Sequence, residues 1–240
     1  MSDENKTKDV VDQDVVTLEL GEESEGAKET SNKRGKLEEQ RKGINALLEQ
    51  SDKAHAVIEE FRGVLRKSDY SEDEEKEFFV ADAAARKADR DYVNTLRKGE
   101  KSLNKKNRSI KHAMDQIRKA KRRGRPLVSK RPELKEEFCI GNKLTNSLSS
   151  IRFQGPLVLA AVKEHFDDLP KYTKDALKAF EASLNTLESD VLHRNRMLIR
   201  IRQQRALRDE ALERLREELS DLRLAAQIAA ETDEGILSFI

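Results

Sequence analysis

A seven-residue apolar repeat, free of glycine and proline, constrains this chain more than any other feature of its sequence. It runs from Leu177 to Ala229, and neither glycine nor proline occurs between Pro170 and Gly235. Thirteen of the sixteen a and d positions of the repeat are apolar. A heptad repeat sustained over this length predicts a coiled-coil helix, about 80 Å long at 1.5 Å per residue.

The a and d positions define a seam that we expect to be a helix–helix interface. The seam residues that we expect to form this interface are Leu184, Leu187, Leu198, Ile201, Leu212, Leu215, Leu219 and Leu222. The three polar seam positions are Arg194, Arg205 and Arg208. Burying unpaired guanidinium groups costs several kcal/mol, so we expect carboxylates opposite them, with Glu74 and Glu75 as the candidates. A polyanion site is the alternative interpretation of these arginines.

The composition favours an all-α, elongated protein built from coiled-coil and helical-hairpin elements, with a disordered acidic N-terminal tail. Charged residues make up 39% of the chain, aromatic residues only 5%, and tryptophan is absent. Such a chain can cover helices but cannot fill a large globular core. Cys139 is the only cysteine, which excludes an intrachain disulfide and favours a reducing compartment.

Composition and helix-breaking residues divide the chain into five predicted segments. A disordered acidic tail covers residues 1–33 and a helical hairpin with a basic second helix covers residues 34–123. A basic linker with short helices follows over residues 124–170, because glycine and proline there are expected to stop the helices at Gly124 and at Gly155-Pro156. The long heptad helix occupies residues 171–232, and residues 233–240 form an apolar C-terminal tail.

The second predicted helix begins with a capping box and becomes strongly basic. Ser71 and Glu74 have the spacing at which each side chain bonds the other residue's backbone N–H. Residues 96–135 carry 16 basic and 3 acidic side chains, although the whole chain has a net charge of only +1. At helical spacing the cations form a ridge opposite an apolar seam. Such a ridge can bind phosphates, but it is also typical of the solvated face of a coiled coil.

At the end of this ridge, Arg123-Gly124-Arg125-Pro126 resembles the core of the AT-hook. Arg122 stands where that motif usually has proline. The resemblance implies an extended loop whose arginines enter the narrow minor groove of A·T-rich DNA. A helix-terminating basic loop or a nuclear-import-like cluster explains the same residues. The candidate nucleic-acid-binding residues are Lys101, Lys105, Arg108, Arg122, Arg123 and Arg125.

The sequence contains no pattern that indicates catalysis, and we expect no cofactor and no catalytic or metal site. Glycine-rich phosphate loops and HExxH are absent, and Cys139 lies in no nucleophile motif. Residues 164–168, Glu-His-Phe-Asp-Asp, include ligand types for metals, but neighbours on one helix do not converge. We interpret them as a solvated helix face.

These patterns predict a non-enzymatic structural or scaffolding protein that assembles through helix–helix contacts with a helical partner or with itself. The alternative is a nucleic-acid-associated protein that binds the phosphate backbone through the basic helix and the AT-hook-like loop. We expect no membrane contact, because the longest apolar run is far below the roughly 18 residues that span a bilayer. The expected location is intracellular and soluble, in the cytoplasm or in the nucleus or nucleoid.

Overall fold

The fold is all-α, as the sequence predicts. The computed structural model describes residues 26–231 and Ile236, with side chains at Glu39 and from residue 41 onward. Within these residues there is no β-strand. Residues 1–25 of the predicted acidic tail lie outside the described residues, as does most of the predicted C-terminal tail.

Four helices follow one another along the chain. They are α1 (Gly26–Leu65), α2 (Glu72–Lys130), α3 (Leu148–Glu164) and α4 (Lys174–Ala230). Short 3-10 turns follow the first three helices, at Arg66–Ser68, Pro132–Lys135 and Phe166–Asp168. Helix α1 begins at Gly26, eight residues before the helical hairpin predicted to start at residue 34.

The described chain forms two compact units. The first contains α1, the first turn of α2 and the C-terminal end of α4, and the second contains residues 77–217. The segment boundaries predicted from composition stay predictions, because spatial contact and composition divide a chain by different criteria.

In the first unit, α1 buries one apolar stripe against the end of α4. Ile44, Ala54 and Ile58 lie on this stripe and are buried. Val57 lines the same groove as Leu222, and Arg223 donates a hydrogen bond to Gln50 Oε1 at 3.0 Å. The stripe follows the three- and four-residue spacing of an amphipathic helix.

In the second unit, α2, α3 and α4 surround one apolar core. Its fully buried members include Ile117 of α2, Val158 of α3 and Leu187 of α4. Phe138, from the turn that follows α2, is also buried in this core. The core therefore joins all three helices of the unit to the turn at residues 136–142.

The heptad prediction is confirmed by burial along α4. Every a and d position from Leu177 to Ala229 is buried or half-buried. The chain's own helices cover the seam: Leu184 packs at Gly155 of α3, and Ile201 packs at Gly99 of α2. The seam therefore closes within one chain.

Two helix ends predicted from glycine and proline are wrong. Helix α2 continues through Gly124 and Pro126 to Lys130, and α3 contains Gly155 and Pro156. An interior proline costs about 3 kcal/mol because it removes a helical hydrogen bond. Burial of Leu127 and Val128 immediately after Pro126 offsets this cost. The first seven residues of the predicted linker segment, 124–130, therefore belong to α2.

Candidate nucleic-acid interface

Helix α2 has a buried face and a basic face. Ile110, Ala113, Ile117 and Ala120 are buried on one side. The cations on the other side are exposed, and we call them the basic face: Arg97, Lys98, Lys101, Lys105, Arg108, Lys111, Lys119, Arg122 and Arg125. The burial of one face fixes the orientation of the helix, so the basic face is presented to solvent along more than seven turns.

Four of the six predicted nucleic-acid-binding residues carry charge that no carboxylate neutralises within the part of the chain that the structure describes. Lys101, Arg108, Arg122 and Arg125 are exposed, and none has an ion-pair partner among the described residues. Their positive charge is therefore available to an external anion.

Lys105 differs from these four because it has a partner inside the second unit. Its Nζ lies 2.8 Å from Asp190 Oδ1, and Ser109 Oγ donates to Asp190 Oδ2 at 2.5 Å. Burial of Asp190 raises its pKa, but the hydrogen bonds from Lys105 and Ser109 outweigh this, and the pKa lies below its usual value. Lys105 therefore joins α2 to α4, and its charge is largely neutralised.

Arg123 is also a structural residue. Its Nη1 donates to the carbonyl oxygens of Pro170, at 3.2 Å, and Lys171, at 2.5 Å. These bonds tie the C-terminal part of α2 to the chain just before α4.

The extended loop implied by the AT-hook resemblance is not formed, because residues 123–126, which match the motif, all lie within α2. A helix cannot place Arg123 and Arg125 together in a minor groove, because side chains two residues apart on a helix point about 160° apart.

A pocket of about 360 Å³ opens beside the C-terminal part of the basic face. Its walls are the basic side chains Arg118, Lys121, Arg122 and Arg125 and, from the turn after α2, Ile140, Gly141, Asn142 and Leu144. No lining residue is acidic. The pocket therefore attracts anions.

Lys121 is held at the wall of this pocket by two acceptors. Its Nζ donates to the Asn142 carbonyl oxygen at 3.0 Å and to Gln154 Oε1 at 2.7 Å. Gln154 is buried and donates in turn to the Lys143 carbonyl oxygen at 3.0 Å. Burial lowers the pKa of Lys121, and the nearby Arg125 guanidinium adds to this effect. A bound anion would offset the repulsion between the two cations.

Sequence reasoning missed Arg118, Lys121 and the turn at residues 140–144 as parts of one site. Arg118, Lys121 and Arg125 recur at three- and four-residue spacing, which is the signal for one helix face. The expected helix end at Gly124 hid that signal. The contribution of the turn has no sequence signal, because it depends on how the chain returns after α2.

The seam arginines have partners within the chain, but these partners differ from the predicted ones. Arg208 is buried, stacks on the Tyr92 ring at 4.2 Å from its centroid, and donates to Asp209 Oδ1. Arg205 lies 3.6 Å from Asp209 Oδ2. Arg194 donates to the Gly99 carbonyl oxygen at 2.8 Å. Aromatic, carboxylate and backbone groups thus satisfy the three guanidinium groups.

Glu74 and Glu75, the predicted partners of these arginines, serve the start of α2. Glu74 Oε2 accepts from the Ser71 backbone N–H at 2.5 Å and the Glu74 N–H donates to Ser71 Oγ at 3.1 Å, which confirms the capping box. Glu75 is buried and pairs with Arg62 at 2.9 Å and Arg66 at 2.7 Å. Neither carboxylate needs a distant arginine, because the end of α1 and the helix start supply nearer partners.

Comparisons with protein-family models, with curated proteins and with solved structures give no match for this chain. None of the helices among the described residues has a stretch long and apolar enough to cross a membrane.

Proposed function

We propose that this protein is a non-enzymatic, helical nucleic-acid-binding protein that contacts the phosphate backbone through the basic face of α2. The observation that carries the proposal is the row of exposed cations from Arg97 to Arg125, of which Lys101, Arg108, Arg122 and Arg125 have no neutralising carboxylate among the described residues. Phosphates spaced along a nucleic-acid strand are the common polyanion that matches such a row.

The proposed contact is with phosphates and not with base edges. Lysine and arginine contacts to phosphates fix position and affinity but carry no direct sequence information. Arg123, one of the two arginines that the AT-hook resemblance placed in the minor groove, instead donates to two backbone carbonyls. We therefore expect weak or no preference for A·T-rich sites.

The pocket beside Arg118, Lys121, Arg122 and Arg125 would hold one phosphate of the bound strand. Its position at the C-terminal part of the basic face would fix the register of the protein on the strand. Lys101 and Arg108 lie outside the pocket lining and would contact phosphates further along.

A charge-matched pair of variants tests this function by fluorescence anisotropy with labelled duplex DNA and RNA. We expect Lys101→Gln with Arg108→Gln to weaken binding to all sequences. The control, Lys174→Gln with Lys178→Gln, removes the same charge from exposed positions at the start of α4 and should bind as the unaltered protein does. Equal weakening in both double variants would contradict a localised interface.

A second candidate function is scaffolding through the outer face of α4. Leu192, Ile199 and Leu207 are between 53% and 56% exposed there, although each is large and apolar. This face would bind a helical partner or a second copy of the chain. It takes the place of the heptad seam as the proposed interface, because the chain's own helices cover that seam. Sedimentation velocity tests self-association: a larger species that Leu192→Glu with Ile199→Glu converts to monomer would support it. A monomer at all concentrations would exclude self-assembly.

A further inference from the structure

Three metal-ligating side chains converge where α3 ends. Glu164 is the last residue of α3, His165 follows it, and Glu137 comes from the turn after the 3-10 helix Pro132–Lys135. One ligand atom from each residue lies within 4.8 Å of the other two. We propose that Glu137, Glu164 and His165 bind a divalent transition-metal ion, with Zn²⁺ as the best fit.

The donor set favours zinc over the alkaline-earth ions. An imidazole nitrogen with two carboxylate oxygens is a common zinc ligand set, whereas Mg²⁺ and Ca²⁺ prefer oxygen ligands alone. Three protein ligands leave the fourth position of a tetrahedral zinc ion to water or to an external anion. The site has the composition of a zinc site that is open on one side.

The geometry needs only small side-chain rotations to close around an ion. Zinc bonds of about 2.0–2.2 Å place tetrahedral ligand atoms about 3.3–3.6 Å apart, and His165 Nε2 already lies 3.3 Å from Glu137 Oε2. The His165 side chain is only 14% exposed and packs against the Phe138 ring at a centroid distance of 6.1 Å. Glu137 is 47% exposed and has room to rotate.

The local charges favour a cation at this position. Glu164 lies at the C-terminus of α3, where the negative end of the helix dipole adds to the carboxylate charge. Among the described residues, neither Glu137 nor Glu164 has a lysine or arginine partner. Two cations nearby in sequence are already paired: Lys163 with Glu181, and Arg131 with Asp168. Two uncompensated carboxylates beside a helix C-terminus are stabilised by a divalent ion.

The sequence could not reveal this site, because Glu137 is far from Glu164 and His165 in the chain. Taken alone, residues 164–168 indicate a solvated helix face, because neighbours on one helix do not converge on a metal ion. The third ligand comes from Glu137, which lies 28 residues before His165 in the chain. The turn after α2 brings it to the end of α3.

Isothermal titration of the full chain with Zn²⁺, after treatment with a chelator and dialysis, tests the proposal. We expect a single ion per chain, and excess Mg²⁺ should not compete. Glu137→Gln, Glu164→Gln and His165→Gln should each weaken Zn²⁺ binding at least about tenfold. Their matched controls, Glu136→Gln and Asp167→Asn, change exposed neighbours outside the triad and should leave the affinity unchanged.

Cobalt provides a readout of the ligand set itself. Co²⁺ bound in place of Zn²⁺ should give the intense visible absorption of a four-coordinate ion, and the His165→Gln variant should lose it. Circular dichroism verifies that each variant keeps its helices. Equal Zn²⁺ affinity in the triad and control variants, or no binding by the unaltered chain, would overturn the proposal.

Discussion

At the residue scale, glycines within the helices are sites of close packing. A Cβ at Gly124 would lie 2.5 Å from Phe138 Cδ1, and one at Gly99 would lie 2.6 Å from Ile201 Cδ1. The Phe138 ring is buried and rigid, so it cannot move aside as the end of an isoleucine side chain can. The absence of a side chain at Gly124 therefore allows the turn after α2 to pack on the helix.

Alanine substitutions separate this packing role from helix propensity. Gly124→Ala should destabilise the protein by about 1–3 kcal/mol, because it overpacks the contact with Phe138. Gly43→Ala is the control, since no atom lies within 4 Å of a Cβ at that exposed position of α1. It should stabilise α1 by about 0.5–1 kcal/mol through propensity alone. Urea denaturation of both variants measures the difference, and stabilisation by Gly124→Ala would contradict the close contact.

Asp190 gives a residue-scale prediction for pH. Its pKa lies below the usual value, so its bonds to Lys105 and Ser109 stabilise the fold above the unfolded pKa of about 4. This stabilisation is lost as the pH falls through the lowered folded pKa. Asp190→Asn should cost about 1–3 kcal/mol at neutral pH, and its stability should vary less with pH below about 4 than that of the unaltered protein. Denaturation curves recorded from pH 7 to pH 3 compare the variant with the unaltered protein. Parallel pH profiles of stability would contradict the stabilising role of the Asp190 carboxylate.

At the element scale, periodic patterns and the start of α2 could be predicted from the sequence, whereas the helix ends expected at Gly124 and at Gly155-Pro156 were wrong. The heptads of α4 and the capping box of α2 depend on local spacing, which a sequence displays directly. Gly124 and Pro126 predict a helix end, because glycine and proline have low intrinsic helix propensity. Burial of Leu127, Val128 and Phe138 overrides those propensities, and such long-range packing leaves no local signal.

The same distinction applies to the candidate site. The basic face follows from helical spacing, and four of the six predicted nucleic-acid-binding residues have no ion-pair partner among the described residues. The roles of Lys105 and Arg123 could not be predicted, because their partners, Asp190 and the carbonyls of Pro170 and Lys171, are distant in sequence.

The closed seam of α4 leads to a prediction about its buried leucines. Leu212 and Leu215 are 3% and 0% exposed, so replacing both with aspartate should cost several kcal/mol and unfold the surrounding helices. Leu207→Asp, at a 53% exposed position of the same helix, is the control and should change stability little. Thermal melts followed by circular dichroism compare the variants. An unchanged melting temperature in the double variant would remove the coiled-coil interpretation.

At the scale of the whole molecule, basic and acidic residues are concentrated in different segments of the chain. The net charge of the chain does not reveal this separation. Residues 96–135 hold 16 basic and 3 acidic side chains, while residues 209–240 hold 3 basic and 9 acidic ones. The basic segment belongs to the second unit, where burial of the opposite side of α2 directs its cations outward. The nucleic-acid-binding proposal depends on this orientation.

The salt dependence of DNA binding tests this account most directly. If Lys101 and Arg108 each neutralise a phosphate, replacing both with glutamine should reduce the slope of log Kobs against log salt concentration by about 2, at about 0.9 per phosphate. The Lys174→Gln, Lys178→Gln control should keep the slope of the unaltered protein. An unchanged slope in the basic-face variant, or no binding by the unaltered protein at about 50 mM salt, would contradict backbone recognition by the basic face of α2.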